Sequence, residues 1–258
     1  MNIDNTQIIN KAKNWLSNTF DSETQKEIQQ LLDSNSPELA DRFYKDMEFG
    51  TGGMRGIMGA GTNRINKYTL GRSTQGLSNY LIRTFPNKDL KVAIAFDCRH
   101  NSQKFAKIVA DVFSANGIKV FLFEDLRPTP ELSFAVKHLN CDAGIVLTAS
   151  HNPPEYNGYK VYWNDGGQIV PPQDGGIINE VNSLDFSEIK FNSKEDLIEI
   201  IGEKIDDAFI DGCINNGKLP TLKNRDNLKV VFTSLHGTSI VSIPETLKRA
   251  GYTDVHIV

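Results

Sequence analysis

KVAIAFDCRHNSQKFAKIVADVFSANGIKVFLFE, residues 91–124, is the stretch that indicates the fold class. It begins and ends with short apolar runs, Lys91–Phe96 and Ile118–Glu124, which predict two buried strands. The residues between them, Ser102–Asn116, predict a helix that stops at a glycine. A third apolar run, Ala143–Thr148, predicts another strand further along the chain. Continuous apolar strands separated by helices are typical of a βαβαβ unit, in which a parallel sheet is covered on both faces.

The flanking segments extend this pattern. Apolar positions at helical spacing predict helices in the first 48 residues, which we expect to pack against the body of the domain without a chemical role. Further predicted helices lie at about Lys67–Phe85, at Pro130–His138, after Pro171-Pro172 and near Lys194–Asn215, and a further strand lies at Tyr159–Trp163. The expected fold class is α/β: a three-layer α/β/α domain with a mostly parallel sheet, followed by an incomplete second α/β domain of similar type.

Three segments are expected along the chain. Residues 1–48 form an N-terminal helical extension, residues 49–216 the first α/β domain, and residues 217–258 the start of a second. The boundary is predicted within Gly217–Asn227, which is rich in Gly, Pro, Lys and Asn. Because the sequence closes on a predicted strand, Asp254–Val258, with nothing after it to continue the sheet, we expect the second domain to be truncated.

Composition and charge limit the classes of partner. Lys and Arg number 28 against 32 Asp and Glu, a net charge of −4, so the chain carries no electrostatic footprint for nucleic acid. The three cysteines, Cys98, Cys141 and Cys213, have neither zinc-binding nor disulfide spacing, which favours free thiols in a reducing compartment. The sequence contains no signal-peptide pattern and no apolar run long enough to span a bilayer. We therefore expect a cytoplasmic protein that binds neither nucleic acid nor membrane; the sequence indicates no oligomeric state.

Polar residues follow each of the three predicted strands. Asp97–Ser102 follows the first strand, Arg127–Thr129 the second and Ala149–Pro154 the third. Because ligands of parallel sheets bind beyond the carboxyl ends of the strands, we expect these loops to meet at one edge of the sheet. Their charged and hydroxyl groups are the kind that an anion site requires.

The most informative segment is TASHNPPEYNGYK, residues 148–160. Its Pro-Pro and Asn-Gly pairs predict two turns that fold the chain back, which would bring Lys160 near Ser150. A serine at a rigid strand end, beside a cation and a histidine, could accept and donate a phosphoryl group. A phosphoserine there would carry a charge of about −1.5 to −2 and would need a metal or cations nearby. A serine that caps a turn explains the same residues equally well.

That segment closely resembles the phosphoserine loop of the α-D-phosphohexomutase family, which includes phosphoglucomutases and phosphomannomutases. The resemblance implies that Ser150 is the phosphorylated serine, and that it ligates a metal through its phosphate oxygen. His151 matches the histidine beside that serine, and Lys160 matches a lysine implicated in proton transfer.

A second segment, FGTGGMRG at residues 49–56, resembles the N-terminal active-site segment of the same family. Arg55 stands at the position of that segment's arginine. The glycine-rich form looks most like the phosphoglucomutase branch that also contains phosphopentomutases. Asp97 and Arg99 fall in a matching D-x-R segment, and Ser234–Gly237 resembles a motif of the second domain, so the match spans roughly residues 45–258. The residues that the resemblance assigns to substrate and phosphate binding are Thr51, Gly52, Arg99 and Asn152.

The resemblance also implies a mechanism. Phosphorylated Ser150 would transfer its phosphoryl group to a free hydroxyl of a sugar monophosphate, and a sugar bisphosphate would serve as intermediate and activator. The family holds Mg²⁺ with an Asp-x-Asp-x-Asp loop, and this sequence contains none. The expected activity is the interconversion of the 1-phosphate and 6-phosphate of a hexose, with glucose favoured over mannose or a pentose. This chain alone is expected to be an inactive N-terminal fragment.

Two other classes of function remain open from the sequence. A serine hydrolase would need a GxSxG elbow around Ser150, which is absent, and His151 is too close in sequence to serve easily as its base. A non-catalytic phosphosugar-binding module would retain the domain without turnover. Apart from the resemblance, the glycine-rich segment is typical of a flexible turn, since it lacks the phosphate-loop and dinucleotide patterns.

Overall fold

The computed structural model describes residues 5–217 and 224–258. The helices are α1 Asn5–Asn14, α2 Ser22–Asp33, α3 Glu38–Phe43, α4 Lys67–Thr84, α5 Ser102–Ala115, α6 Thr129–His138, α7 Gln173–Ser183, α8 Glu203–Asn216 and α9 Ser242–Arg249. The strands are β1 Gly53–Ile57, β2 Lys91–Phe96, β3 Lys119–Phe123, β4 Ala143–Leu147, β5 Tyr156–Trp163, β6 Ile198–Ile201, β7 Lys229–Phe232 and β8 Asp254–Ile257. Within these described ranges, no helix is both long enough and apolar enough to cross a membrane.

A six-stranded sheet in the order β1-β5-β4-β2-β3-β6 forms the centre of the fold. β2 pairs in parallel with β3 and with β4, and β3 pairs in parallel with β6. β5 runs antiparallel to both of its neighbours, β4 and β1. Only β5 is therefore reversed, and the prediction of a mostly parallel sheet is confirmed.

Helices cover both faces of this sheet and make the predicted three layers. α4, α5 and α7 join the strand residues Ile94 and Ile145 in one core cluster. α6 and α8 join Ala95 and Val146 in a second cluster on the opposite face. Neighbouring strand residues thus point to opposite faces, and both faces are apolar because both are covered.

The three N-terminal helices pack beside α4 through an aromatic cluster. Trp15 stacks on Phe20 with ring centroids 4.4 Å apart, and it meets Tyr68 of α4 edge-on at 5.7 Å. The Tyr68 hydroxyl donates a hydrogen bond of 3.0 Å to Asp21, which caps the N-terminus of α2. Phe43 of α3 belongs to the same cluster, with its ring centroid 5.7 Å from that of Trp15.

The prediction of a single helix near Lys194–Asn215 is wrong for the first part of that segment. Ile198–Ile201 instead forms β6 and pairs with β3, and α8 begins only at Glu203. A short isoleucine-rich run is compatible with the hydrophobic pattern of a helix and with that of a strand. It forms a strand here because it pairs with the otherwise open edge of β3.

β1 is a strand where the sequence predicted only a turn. Its backbone reaches so close to β5 that a side chain at Gly53 has no room, because an added Cβ would lie 1.9 Å from the Tyr159 carbonyl oxygen. The φ angle of Gly53 is +126°, a backbone conformation that residues other than glycine rarely adopt. The glycine is therefore required for β1 to join the sheet.

Gly53→Ala is expected to lower the free energy of unfolding by about 3 kcal/mol, because clash and backbone strain act together. Gly175→Ala is the matched control: an added Cβ there meets nothing within 4 Å, and Gly175 lies inside α7. It is expected to leave stability unchanged or to raise it by about 0.5–1 kcal/mol. Urea unfolding of both variants checks the pair, and equal stabilities would refute the close approach of β1 to β5.

β7 and β8 form a separate two-stranded parallel sheet. Arg249 of α9 forms an ion pair with Asp207 of α8, and Cys98 Sγ lies 3.0 Å from the His236 carbonyl oxygen. The predicted boundary, Gly217–Asn227, lies partly outside the described residues.

Candidate active site

A cleft of about 680 Å³ opens on the β1–β5 side of the sheet. α6 packs against β2 and β4 on this face, whereas β1 lies two strands beyond β4, so this corner stays open. The residues that line the cleft include Thr51, Gly52, Arg55, Thr148, Ser150, Lys160 and Gln168, together with Tyr44, Lys45 and Glu48 at the rim.

Arg55 and Lys160 point to the same face of the sheet, the one on which the cleft lies. Arg55 pairs across the strands with Gly158, and Lys160 pairs with Gly53 on one side and with Val146 on the other. Directly paired residues share a face, and Val146 belongs to the core beneath α6. Each cation stands opposite a glycine, which leaves the space between them open.

The side chains of both cations have no protein partner among the residues that the structure describes. Neither the Arg55 guanidinium nor the Lys160 ammonium makes a hydrogen bond or an ion pair there. The acidic residues that line the cleft are already paired with other cations, Asp41 with Arg64 and Glu48 with Lys45. Two unpaired cations on one wall of a cleft are suited to bind an anion such as phosphate.

Ser150 lies directly after β4, in the left-handed backbone region with φ +56°. Its N–H donates a hydrogen bond of 2.9 Å to Thr148 Oγ1, and its exposed side chain lines the cleft. This conformation costs a residue with a Cβ about 1–2 kcal/mol, so the surrounding contacts must hold it. This conformation presents the serine to the cleft.

The turn predicted at Pro153-Pro154 is present, since the Tyr156 N–H donates a hydrogen bond of 3.0 Å to the Pro153 carbonyl oxygen. The turn predicted at Asn157-Gly158 is wrong, because both residues lie within β5 and pair with β1.

His151 is exposed and lies beside the serine hydroxyl. Its Nδ1 is 3.3 Å from Ser150 Oγ, at the long end of hydrogen-bond distances. The ring therefore does reach the serine, although the two residues are adjacent in sequence. No carboxylate within the described ranges contacts His151, so the third member of a hydrolase triad is missing there.

Thr51 and Gly52 form the tip of a tight turn that begins at Gly50. Reciprocal backbone hydrogen bonds between Gly50 and Gly53, of 2.8 and 3.0 Å, close this turn. Thr51 Oγ1 donates a hydrogen bond of 2.8 Å to Asp174 at the start of α7. The N–H groups of Thr51 and Gly52 have no acceptor in the described part of the chain, and such free turn amides are suited to bind an anion.

The contacts of Arg99 argue against the phosphate-binding role that was expected of it. Its Nη1 donates to the carbonyl oxygens of Pro153 at 2.9 Å and Tyr156 at 3.1 Å, and its Nη2 donates to those of Ser150 at 2.7 Å and Asn152 at 2.5 Å. Its Nε is buried and lies 3.5 Å from Asp97 Oδ2. The N–H groups of Nη1 and Nη2 are thus committed to carbonyl oxygens of the serine loop. The Nε–H has no hydrogen-bond acceptor among the described residues, but it is buried, and Arg99 does not line the cleft.

Asn152 is part of the serine loop but is not among the cleft-lining residues. Its backbone N–H donates to the Ala149 carbonyl at 3.1 Å, and its buried side-chain oxygen has no hydrogen-bond partner among the described residues. An amide NH2 group can donate to phosphate, but this one does not line the cleft. Its position therefore argues against the expected phosphate contact of Asn152.

Arg127 was expected at the same sheet edge and is instead buried between α6 and α8. Its Nε and Nη2 each donate a hydrogen bond of 2.7 Å to the Asp206 carboxylate. The loop after β3 therefore contributes no group to the cleft. Of the three polar loops, only the one after β4 lines it, together with the turn before β1.

The described residues do not by themselves fit a magnesium site. No group of three or more His, Cys, Asp or Glu side chains within residues 5–217 and 224–258 is arranged to hold a metal ion. Mg²⁺ prefers several oxygen ligands, and the Ser150 hydroxyl alone does not supply them.

The fold and the cleft together define an α/β/α domain that presents a serine hydroxyl and two unpaired cations to an anion. The sequence profile of "Phosphoglucomutase/phosphomannomutase, alpha/beta/alpha domain I" matches residues 46–188, more than half of the chain. The chain therefore belongs to the phosphoglucomutase/phosphomannomutase family.

Individual relatives agree with this family. The chain is 36% identical over 252 residues to a phosphoglucomutase of Staphylococcus haemolyticus (strain JCSC1435), a match that covers 95% of this chain and 44% of the relative. It is 37% identical over 248 residues to the phosphopentomutase of Homo sapiens, a match that covers 86% of this chain and 38% of the relative. A crystal structure of a Thermus thermophilus protein assigned as a phosphomannomutase superposes with a TM-score of 0.71 at 26% identity, covering 83% of this chain and 46% of that one. The chain thus spans less than half the length of these relatives.

Sequence reasoning missed several residues of the cleft. Tyr44 and Lys45 come from the N-terminal extension, to which no chemical role was assigned, and Gln168 follows β5. The only signal in the sequence was the glycine at Gly53 and at Gly158, since residues without side chains often mark a close approach of backbone. Neither glycine reveals which distant residues complete the rim.

Proposed function

We propose that the protein is a phosphosugar mutase that interconverts the 1-phosphate and 6-phosphate of a hexose, with glucose as the favoured sugar, through phosphorylated Ser150. The observation that carries the proposal is the position of Ser150 on a cleft wall that also holds two unpaired cations, Arg55 and Lys160. The activity belongs to the whole protein, and residues 1–258 alone are expected to be inactive.

In this proposal the residues of the chain have separate roles. Arg55 and the free amides of Thr51 and Gly52 neutralise and orient the phosphoryl group, which is most of what phosphoryl transfer requires. The phosphoryl group passes from Ser150 Oγ to a sugar hydroxyl. Lys160 donates a proton to the departing Ser150 Oγ and takes up in return the proton that the sugar hydroxyl loses. The bisphosphate then returns its other phosphoryl group to Ser150 Oγ. His151 lies near enough to exchange a proton with that oxygen.

Several finer assignments belong to the same proposal. Mg²⁺ would need ligands beyond the described residues. We propose the division into residues 1–48, 49–216 and 217–258, and a cytoplasmic location. Phosphomannomutase and phosphopentomutase activities are the alternatives within the family, since relatives with both names match the chain.

The test uses the full-length protein purified from its own cells. Mass spectrometry is expected to find one phosphoryl group on the peptide that contains Ser150, and the protein is expected to convert glucose 1-phosphate to glucose 6-phosphate. Mannose and pentose 1-phosphates, assayed in parallel, identify the preferred sugar. An unmodified serine together with no turnover of any of these sugars would instead favour a non-catalytic binding module. Labelling of Ser150 by a fluorophosphonate would favour a hydrolase.

Replacing either unpaired cation is expected to reduce turnover without unfolding the protein. Lys160→Ala should lower kcat by about 10²–10³-fold because the group that relays the proton between the sugar hydroxyl and Ser150 Oγ is lost. Arg55→Ala should lower kcat/KM by about 10²-fold because the transferring phosphoryl group loses a cation. Lys137→Ala, an exposed residue of α6, is the control and should retain wild-type kinetics. Steady-state kinetics measure kcat and KM of each variant. Wild-type values for both cleft variants would contradict the roles proposed for Lys160 and Arg55.

A further inference from the structure

The serine loop is held by one side chain that the cleft does not use. Four carbonyl oxygens between Ser150 and Tyr156 accept hydrogen bonds from the two Nη groups of Arg99. Backbone bonds within the loop are few, because Pro153 and Pro154 have no N–H. Arg99 therefore supplies from outside the bonds that the loop cannot make internally.

The backbone of Arg99 is itself held in place by hydrogen bonds. Asp97 Oδ1 accepts hydrogen bonds from the Arg99 backbone N–H at 3.0 Å and from Ser102 Oγ at 2.7 Å. Ser102 Oγ in turn accepts a hydrogen bond of 2.9 Å from Asn157, a fully buried residue of β5. The backbone of Arg99 is thus connected to β5 through Asp97 and Ser102, while its guanidinium holds the serine loop, and only 11% of the side chain is exposed.

The left-handed conformation of Ser150 explains why such an anchor is needed. A residue with a Cβ leaves this conformation unless its neighbours hold it, and two of the bonds from Arg99 are to Ser150 itself and to Asn152. If the loop relaxed, Ser150 Oγ would move relative to Arg55 and Lys160. A displacement of about 1 Å at a reacting atom can cost about 10²-fold in rate.

We propose that Arg99 is a positioning residue, which holds the serine loop so that Ser150 Oγ faces the two cleft cations, and which does not itself contact the substrate phosphate. The role in turnover rests on the proposed mutase function, whereas the hold on the loop does not. Arginine suits this role better than lysine, because its planar fork presents donors in fixed directions to several acceptors at once.

The kinetic test compares Arg99→Lys with Arg83→Lys in the full-length protein. Arg83 is an exposed arginine at the end of α4 that pairs with Glu180, and its variant should match the wild type. Arg99→Lys is expected to lower kcat by about 10²-fold while KM for the sugar phosphate changes less than about threefold. A KM raised tenfold or more with kcat retained would overturn the proposal, because that split indicates a direct substrate contact.

Hydrogen–deuterium exchange tests the hold on the loop independently of activity. Amides from Ala149 to Tyr156 are expected to exchange at least tenfold faster in Arg99→Lys, with those of β4 unchanged. Unchanged loop exchange would overturn the proposal, whatever the kinetics show. If the wild type turned over no sugar phosphate but the loop exchange rose as expected, the mutase function would fail and the anchoring role would stand.

A second variant keeps the proposal testable if Arg99→Lys does not fold. Ser102→Ala leaves Arg99 in place and removes one hydrogen bond to Asp97, so it should weaken the anchor only in part. The expected result is an intermediate fall in kcat, about tenfold, with faster exchange in the same loop amides. Wild-type kcat together with wild-type exchange in Ser102→Ala would count against the anchor.

Discussion

Ser150→Ala is expected to lower mutase turnover of the full-length protein by about 10⁵-fold, because in the proposed mechanism Ser150 Oγ carries the phosphoryl group between the two halves of the reaction. The fold should not change. Among the described residues, Ser150 Oγ has one hydrogen-bond partner, His151 Nδ1 at 3.3 Å, and alanine carries the same Cβ into the same backbone conformation. The free energy of unfolding should therefore stay within about 0.5 kcal/mol of the wild type. Coupled-enzyme kinetics and urea unfolding measure the two quantities.

The control is Ser183→Ala, in which an exposed serine at the end of α7 loses a hydrogen bond to its own helix. It should retain turnover and stability, so that any loss in Ser150→Ala reports the missing hydroxyl. Turnover at the wild-type level in Ser150→Ala would sink the phosphoserine mechanism. A loss of turnover accompanied by a large loss of stability would show instead that Ser150 serves the fold.

The parallel centre of the sheet was predictable because its strands are buried on both faces. Lys91–Phe96 and Ala143–Leu147 are continuous apolar runs, and such runs have few stable places outside a covered sheet. The edge strands were not predictable in the same way. Gly53–Ile57 and Ile198–Ile201 become strands through pairing with distant neighbours, and local sequence does not report that pairing.

In the candidate site, too, the features encoded in one short segment were predictable, and those that depend on distant contacts were not. Ser150 and Lys160 were predicted to meet because two turns were expected between them, and the same cleft does contain both residues. Only the turn at Pro153-Pro154 forms; Asn157-Gly158 lies within β5, and the antiparallel return of β5 along β4 brings Lys160 back towards Ser150.

The role of an arginine, by contrast, depends on which oxygens its N–H groups reach. Arg99 and Arg127 look alike in sequence as polar residues after strands. The first is committed to loop carbonyls and the second to a buried carboxylate, and both facts arise only in the folded chain.

A buried cluster of charges beneath α8 makes stability depend on pH. Glu131 of α6 is fully buried, and neither of its carboxylate oxygens has a hydrogen-bond partner among the described residues. Arg127 lies nearby at 3.9 Å, but both of its near nitrogens are bonded to Asp206. Burial, and then the neighbouring Asp206, raise the pKa of Glu131 from 4.5 to about 8. Glu131 therefore stays protonated in the folded protein at neutral pH.

The free energy of unfolding changes with pH because the folded and unfolded chains release the Glu131 proton at different pH values. Between pH 4.5 and about 8 the unfolded chain has released the Glu131 proton and the folded chain has kept it. The stability contributed by this group is therefore complete below pH 4.5 and falls as the pH rises, by about 1.4 kcal/mol for each pH unit. Asp206 acts in the opposite sense: although its burial opposes ionisation, the bonds from Arg127 lower its pKa, so its contribution is lost in acid.

Glu131→Gln is expected to remove the alkaline loss, since the amide has nearly the same shape and no proton to release. Over roughly pH 5 to 9 the wild type should lose about 4 kcal/mol more stability than the variant, so that the variant is the more stable protein at about pH 9. Glu203→Gln, at an exposed position at the start of α8, is the matched control and should follow the wild-type profile. Urea unfolding at each pH unit measures the difference. Parallel profiles for the wild type and Glu131→Gln would mean that the buried carboxyl is ionised in the folded state, held by Arg127 as a second partner beside Asp206.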